Sequence, residues 1–188
     1  MQNQMLQEFP ETTDGIVRIL PFNKRHLNEN YISWLNDIDV VRYSEQRHQK
    51  HSFESCREHM ERQKKYGNYF LAIEIVGKKV RHVGNLGISV NFENNIADLS
   101  ILVGDKTVWG TGVASRAWSL ALKVLLFNLN FRMVTAGTME VNASMIKLMN
   151  RSGMNIDSIL PGRFIFEGEA VGLIAASITK TDKIFLTI

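Results

Sequence analysis

The stretch with the clearest chemical capacity reads Val103-Gly104-Asp105-Lys106-Thr107-Val108-Trp109-Gly110-Thr111-Gly112-Val113-Ala114-Ser115-Arg116. An apolar strand-like run enters it and a helix-periodic run leaves it, so the two glycines lie in a loop that opens a helix. The first-turn amides of such a helix lack partners within it and sit at the positive end of its dipole. Gly110 and Gly112 remove side chains that would hold an anion away from those amides, and the combination suits phosphate. Other readings make different demands. A P-loop requires Gly-Lys-Ser/Thr, which is absent here. The spacing of Gly110, Gly112 and Ser115 loosely resembles a dinucleotide-binding fingerprint. In that motif, however, the glycines follow the strand directly within a βαβ unit, whereas residues 105–109 intervene here. A third reading gives the glycines only the shaping of a turn.

The remaining reactive side chains point to no second chemistry. His48 and His51 are three apart, as ligands on a helix face are. Arg47 and Lys50 surround them with positive charge and no third ligand stands nearby, so no metal is expected. Cys56, the only cysteine, lacks an evident His or Asp partner and reads as a packed or surface thiol. It cannot form an internal disulfide, which fits a reducing, cytoplasmic compartment. Arg42, Tyr43, Glu45, Arg47 and His48 form a dense polar set in a segment with no evident structural duty. They are either solvated loop residues or ligand contacts.

Periodicity supplies the elements that must position these residues. Ile16, Ile19 and Phe22 mark a short strand that Pro21 stops. Leu27, Tyr31, Trp34 and Leu35 recur at helical spacing across 25–36. Ser52 is the N-cap expected for a helix over 55–65, on which Glu58 and Arg62 form a surface pair. Two strands, 69–76 and 80–90, flank the turn Gly77-Lys78-Lys79, and 96–103 follows as a third antiparallel strand. Residues 112–128 read as a helix with Val113, Ala117, Leu120 and Ala121 on one face. Then come a strand over 132–141, a helix over 143–151 closed by Gly153, and strands across 159–178 around Glu167-Gly168-Glu169. Strand, two helices, three strands, helix, strand, helix and strands predict an α+β fold, with helices flanking a mainly antiparallel sheet.

With 188 residues, 45% hydrophobic and 22% charged, the chain can bury a core of its own, which excludes disorder as the main state. Residues 1–14 read as a flexible N-terminal arm and 15–188 as a single domain. No apolar run approaches the ~18 residues of a membrane helix, and no secretory signal is visible at the start. A net charge of +3 is too small an excess for nucleic acid but suits a phosphorylated small molecule.

Taken in order, the strand, the Trp109-Gly110-Thr111-Gly112 loop, its helix, the next strand, and Asn142 leading to a helix end at Gly153-Met154 resemble the GNAT superfamily of acyl-CoA-dependent N-acetyltransferases. Tyr31-Ile32-Ser33-Trp34-Leu35-Asn36-Asp37 and Arg42-Tyr43 match the first helix of the branch that includes ribosomal-protein and amino-sugar acetyltransferases. The resemblance spans about residues 15–179. It implies a mixed sheet splayed between its central strands. It also implies direct transfer of acetyl from acetyl-CoA to a primary amine of an amino sugar, a small amine or a protein N-terminus.

By the same resemblance, the pyrophosphate rests on the amides of Trp109, Gly110, Thr111, Gly112, Val113 and Ala114. The pantetheine arm runs along the main chain of Leu102 and Val103. Asn142 bonds the pantetheine or its sulfur region, and Arg151 approaches the phosphates. Asp98 falls at the family's acidic strand position and is the expected base, ahead of Glu140 and Glu93. Two positions depart from the pattern. Thr107 opens the cofactor loop where the family has Gln or Arg, and Met149 replaces a tyrosine near the leaving sulfur. The second departure keeps open an alternative, a non-catalytic acyl-CoA-binding module. The implied partners are acetyl-CoA and an amine acceptor, with no membrane or nucleic acid and with a homodimer possible. The acceptor is expected between segment 39–52 and the turn at 166–169. There Arg42 and Arg47 suggest that it also bears phosphate or carboxylate, as a nucleotide-linked amino sugar does.

Overall fold

Alternation along the strands gives the sheet two apolar faces, and helices cover both. In a computed structural model, which describes residues 8–182, eight strands and five α-helices carry this out. The strands are β1 (Thr12–Thr13), β2 (Val17–Pro21), β3 (Tyr69–Ile75), β4 (Arg81–Asn91), β5 (Ile96–Val103), β6 (Met133–Met139), β7 (Asn155–Phe166) and β8 (Glu169–Thr179). The helices are α1 (Glu29–Leu35), α2 (Ile38–Val41), α3 (Phe53–Lys65), α4 (Val113–Lys123) and α5 (Ala143–Arg151). On one face Ile19, Leu71, Ile73, Leu86 and Leu99 pack with Ala117, Trp118 and Leu122 of α4 and Leu148 and Met149 of α5. On the other, Leu20, Phe22 and Ala72 pack with Tyr31 and Leu35 of α1, Val41 of α2 and Cys56 of α3.

The sheet order is β1-β2-β3-β4-β5-β6-β8-β7, and every pairing is antiparallel except β5 with β6. The third strand of the meander therefore has one antiparallel and one parallel neighbour. The crossover through α4 returns the chain to the same end of the sheet, which only a parallel partner allows. The fold is the α+β arrangement expected, with helices on both faces. Ser52 caps α3 in a reciprocal box with Ser55. The ion pair on α3 is Glu54–Arg57 at 2.6 Å, one turn before the pair expected at Glu58 and Arg62. The helix after Gly112 changes to a π turn at Val124–Asn128, and β7 starts at Asn155, earlier than residue 159. Among the described residues no helix is long and apolar enough to cross a membrane.

The flexible arm expected over residues 1–14 is corrected for its described part. Phe9 is buried and meets Tyr69 edge-to-face at 5.6 Å, while Thr12 and Thr13 pair with Ile19 and Arg18. Asp14 binds Arg116 of α4 at 2.7 Å. One buried ring, two ladder residues and a charge pair outweigh the entropy of a free terminus. Residues 1–7 of that arm lie outside the described residues.

One buried charge braces the β2–β3 end of the sheet. Glu74 is 3% exposed and His26 1% exposed. The Glu74 carboxylate accepts hydrogen bonds from Arg18 Nε at 2.9 Å and Arg25 Nη2 at 3.0 Å, with His26 Nε2 also at 3.0 Å. His26 Nδ1 accepts the Asn23 amide at 3.0 Å, which leaves the ring proton on Nε2, facing the carboxylate. Burial alone would raise the Glu74 pKa, but the bonds from His26 and Arg18 and the nearby charges outweigh it and lower the value. Its folded pKa thus lies below the unfolded one, so its stabilisation is complete above the unfolded carboxyl range and fades as pH falls through the lowered value. Glu74→Gln should cost about 3 kcal/mol at neutral pH in urea unfolding and should remove this part of the acid-side loss. Parent and variant curves that stay parallel from neutral pH down to acid unfolding would contradict that assignment.

Candidate functional site

Strands β5 and β6 pair at only three positions, Ile96↔Met133, Ala97↔Val134 and Asp98↔Thr135. Each then follows its other neighbour. β5 stays with β4 as far as Val103↔Gly84, and β6 stays with β8 as far as Met139↔Leu173. A gap opens between them beyond Asp98 and Thr135. Gly104 N–H donates to Val83 O at 2.9 Å, which sets the phase of the backbone. Even residues of β5 turn their amides and carbonyls to β4, and Leu99, Ile101 and Val103 turn theirs toward the gap. This corrects one expectation. The main chain of Leu102 belongs to the β4 ladder, its carbonyl lying against Gly84, and the backbone groups that face the gap beyond the β6 pairing are those of Ile101 and Val103.

The loop after β5 is tied back on itself. Asp105 Oδ1 accepts the Thr107 amide at 2.9 Å and its hydroxyl at 2.6 Å, and the Trp109 indole Nε1 donates to Val103 O at 2.9 Å. The Trp109 and Thr111 amides are engaged with Lys106 O at 3.2 Å and Val108 O at 3.3 Å, so two of the six amides expected to face an anion are not available. Gly110 and Gly112 have φ of +76° and +89°, and a Cβ built on either meets no atom within 4 Å. Backbone conformation and open space require these glycines; packing does not. No side chain caps α4, and its first helical bond is Arg116 N–H to Gly112 O at 3.1 Å. The amides of Gly110, Gly112, Val113, Ala114 and Ser115 are left without an acceptor among the described residues. Ser115 was absent from the expected set, although the first-turn rule already includes it.

Asp98 sits at the point where the strands part. Its Oδ2 accepts the Thr135 hydroxyl at 2.7 Å. The carboxylate reaches solvent, yet surrounding protein crowds it, and that desolvation raises its pKa while the Thr135 bond pulls part of the way back. Asn142 has structural work. It caps α5 by accepting the Met145 amide at 3.2 Å and donates to Thr138 Oγ1 at 2.9 Å. Glu140 accepts the Gly172 amide at 2.5 Å. Met149 is fully buried. Arg151 is exposed at the end of α5 and makes no ion pair among the described residues.

The two segments expected to flank an acceptor do meet. Arg42 Nη2 lies 2.6 Å from Glu167 Oε1, Arg47 Nη2 donates to Ile165 O at 3.1 Å, and Tyr43 stacks on Phe166 at 5.5 Å. Arg42, Arg47, Phe166 and Glu167, with Ile38 and Asp39, line a cavity of about 320 Å³. Lys106 joins this wall to the glycine loop, 2.7 Å from both Asp37 and Asp39. Arg42 is paired with Glu167, and Arg47 with Glu45 at 3.0 Å, so part of the positive charge expected to face an acceptor is already offset within the protein. His48 lies 3.8 Å from Glu45 and His51 Nε2 lies 3.2 Å from Gln46 O. Among the described residues no group of three His, Cys, Asp or Glu is placed to hold a metal.

The acetyltransferase (GNAT) domain family matches residues 17–155. An acetyltransferase (GNAT family) from Bacillus anthracis superposes with a TM-score of 0.77 at 15% identity, over 90% of this chain and 98% of that one. Spermidine N-acetyltransferase from Vibrio cholerae, in complex with CoA and spermine, gives 0.78 at 16% identity over 88% and 96%. A GCN5-related N-acetyltransferase from Brucella melitensis gives 0.74 at 12% identity over 95% and 84%. These likenesses show a shared fold. No curated protein sequence matches the chain.

The Asp98–Thr135 contact is open to direct measurement. The Thr135 hydroxyl donates to the charged carboxylate and so favours the charged form. Thr135→Val should move the Asp98 titration, followed by carboxyl-carbon NMR, to a still higher pH. An unchanged midpoint would show that the bond has no weight in setting this carboxyl.

Proposed function

The chain belongs to the GNAT acetyltransferase family, and from that premise we propose that it transfers an acetyl group from acetyl-CoA directly to a primary amine. The observation that carries the reading is one continuous surface. A gap lined by the backbone edge of Ile101 and Val103 leads to five unpaired amides around the start of α4. An extended arm bearing amides suits the first part, and a pyrophosphate suits the second. Acetyl-CoA carries both.

In this reading the pyrophosphate takes the amides of Gly112, Val113, Ala114 and Ser115, with Gly110 beside them. The pantetheine pairs with Ile101 and Val103 as an added strand. Val103 O already accepts the Trp109 indole, so the arm meets a carbonyl whose direction is fixed. An N–H of β5 facing the gap donates to the thioester carbonyl as negative charge develops there, a contribution worth roughly 3 kcal/mol for one such donor in other enzymes. The amine nitrogen attacks the carbonyl carbon, the C–S bond breaks, and CoA leaves as a thiolate. The proton lost by the nitrogen goes to Asp98. A raised pKa makes this carboxylate a stronger base than an ordinary aspartate and suits it to that transfer. A thiolate leaves without an acid to assist it, since a free thiol has a pKa of ~8.5, so Met149 in place of a tyrosine does not stop the reaction. The amine enters past the Arg42–Glu167 wall, opposite the arm of the donor.

Two outcomes are expected. Gly112→Val forces a branched side chain onto φ of +89° and into the open space an anion would use. CoA affinity by calorimetry should fall about tenfold or more, and unchanged affinity in a folded variant would place the phosphates elsewhere. Asp98→Asn should lower kcat/KM by roughly a hundredfold with little change in CoA affinity. It should also remove the acidic limb of the pH–rate profile, because the parent gains rate as Asp98 loses its proton and the variant has no proton to lose. A variant within about threefold of the parent would assign the proton to a different acceptor.

A further inference from the structure

The β3–β4 hairpin overhangs the glycine loop. Val103, the last residue of β5, pairs with Gly84, so the first residues of β4 run on past it, and Val83 O takes the amides of Gly104 at 2.9 Å and Asp105 at 3.1 Å. Arg81 starts β4 on this overhang. Its Nη1 lies 3.3 Å from Asp105 Oδ2 and donates to Thr107 Oγ1 at 3.4 Å. Lys78 and Lys79, both exposed, stand on the adjoining turn.

Three features give this arginine a ligand. The Thr107 hydroxyl donates to Asp105 and accepts from Arg81, so the opening residue of the loop offers nothing outward. Asp105, with a side chain only 16% exposed, places a negative charge beside a site built for anions, and Arg81 is the cation that offsets it. Finally, Arg81 is half exposed, and its Nε and Nη2 have no acceptor among the described residues. A guanidinium fixed through one nitrogen with the rest of its fork free is suited to a phosphate. We propose that Arg81 is a phosphate-binding residue of this site, taking a phosphate of CoA that the α4 amides leave uncovered. This rests on the acetyl-CoA reading above.

The test compares donors that differ in phosphate. Arg81→Ala should weaken CoA binding by about tenfold in calorimetry and reduce its salt sensitivity. It should leave kcat/KM for S-acetylpantetheine, which carries no phosphate, within twofold of the parent. Arg81→Lys should recover part of the CoA affinity. Dephospho-CoA assigns the group, since a loss equal to that for CoA means the pyrophosphate and a vanished loss means the 3′-phosphate. Either result upholds the role. CoA affinity equal to the parent in Arg81→Ala would overturn it. So would an equal loss with S-acetylpantetheine, because Arg81 would then only brace Asp105. A parent protein that binds no CoA would instead remove the acetyl-CoA reading, and this inference with it.

Discussion

A strand shielded from water must pair its amides and carbonyls, and β5 does so along the whole of one edge but for only three residues of the other. The parting of β5 from β6 is the constraint from which the rest of the site follows. It arises from divided loyalty, since β5 keeps its register with β4 and β6 keeps its register with β8. Neither strand is distorted, and the opening is a wedge between two intact ladders. A wedge with unpaired backbone on one wall is costly to leave dry, and an extended ligand that restores the missing bonds recovers that cost.

The same economy appears at the start of α4. Helices α1, α2, α3 and α5 are capped by the side chains of Asn28, Asp37, Ser52 and Asn142. α4 is entered through Gly112 in the left-handed region with no side-chain cap. A serine or aspartate cap in place of alanine is worth about 1 kcal/mol in an ordinary helix, and this one forgoes it. What holds α4 is burial, with Val113, Ala117, Trp118, Ala121 and Leu122 all packed into the larger core. Tertiary packing supplies the stability that the helix end lacks, and the open amides stay rigid enough to meet an anion without first being ordered.

Periodicity made the skeleton legible. β5 and α5 occupy the residues expected, because an alternating run and an amphipathic run with clear stops each leave one solution. Face was readable for the same reason, but edge was not. Which of Leu102 and Val103 turns its backbone to the gap depends on the register with β4, and a single strand carries no trace of that. The engaged amides of Trp109 and Thr111 belong to turns whose acceptors, Lys106 and Val108, were not distinguishable from a free loop. Thr135 and Arg81 reach the site from other strands, 37 and 26 residues from their partners Asp98 and Thr107, and neither lies in a motif. For residues 8–14, Phe9 was the lone apolar signal and was too little to show a docked segment.

The position of Asp98 ties the chemistry to the parting itself. One residue earlier or later, a side chain would turn to the opposite face, where Ala97 and Leu99 are buried in the core; two earlier, at Ile96, it would stand beside a closed parallel ladder. At Asp98 the two strands are still close enough for Thr135 to reach the carboxylate, and protein crowds it enough to raise its pKa. Just beyond, the backbone of β5 is free. The crowded carboxylate, the free amides of β5 and the opening of the gap are therefore set by the same event in the sheet. Lys106 extends this to the neighbouring segment. It sits in the loop that leaves β5 and binds Asp37 and Asp39 next to the Arg42–Glu167 wall. The glycine loop and the Arg42–Glu167 wall are thus braced against each other through one side chain, and a shift of β5 would move both together.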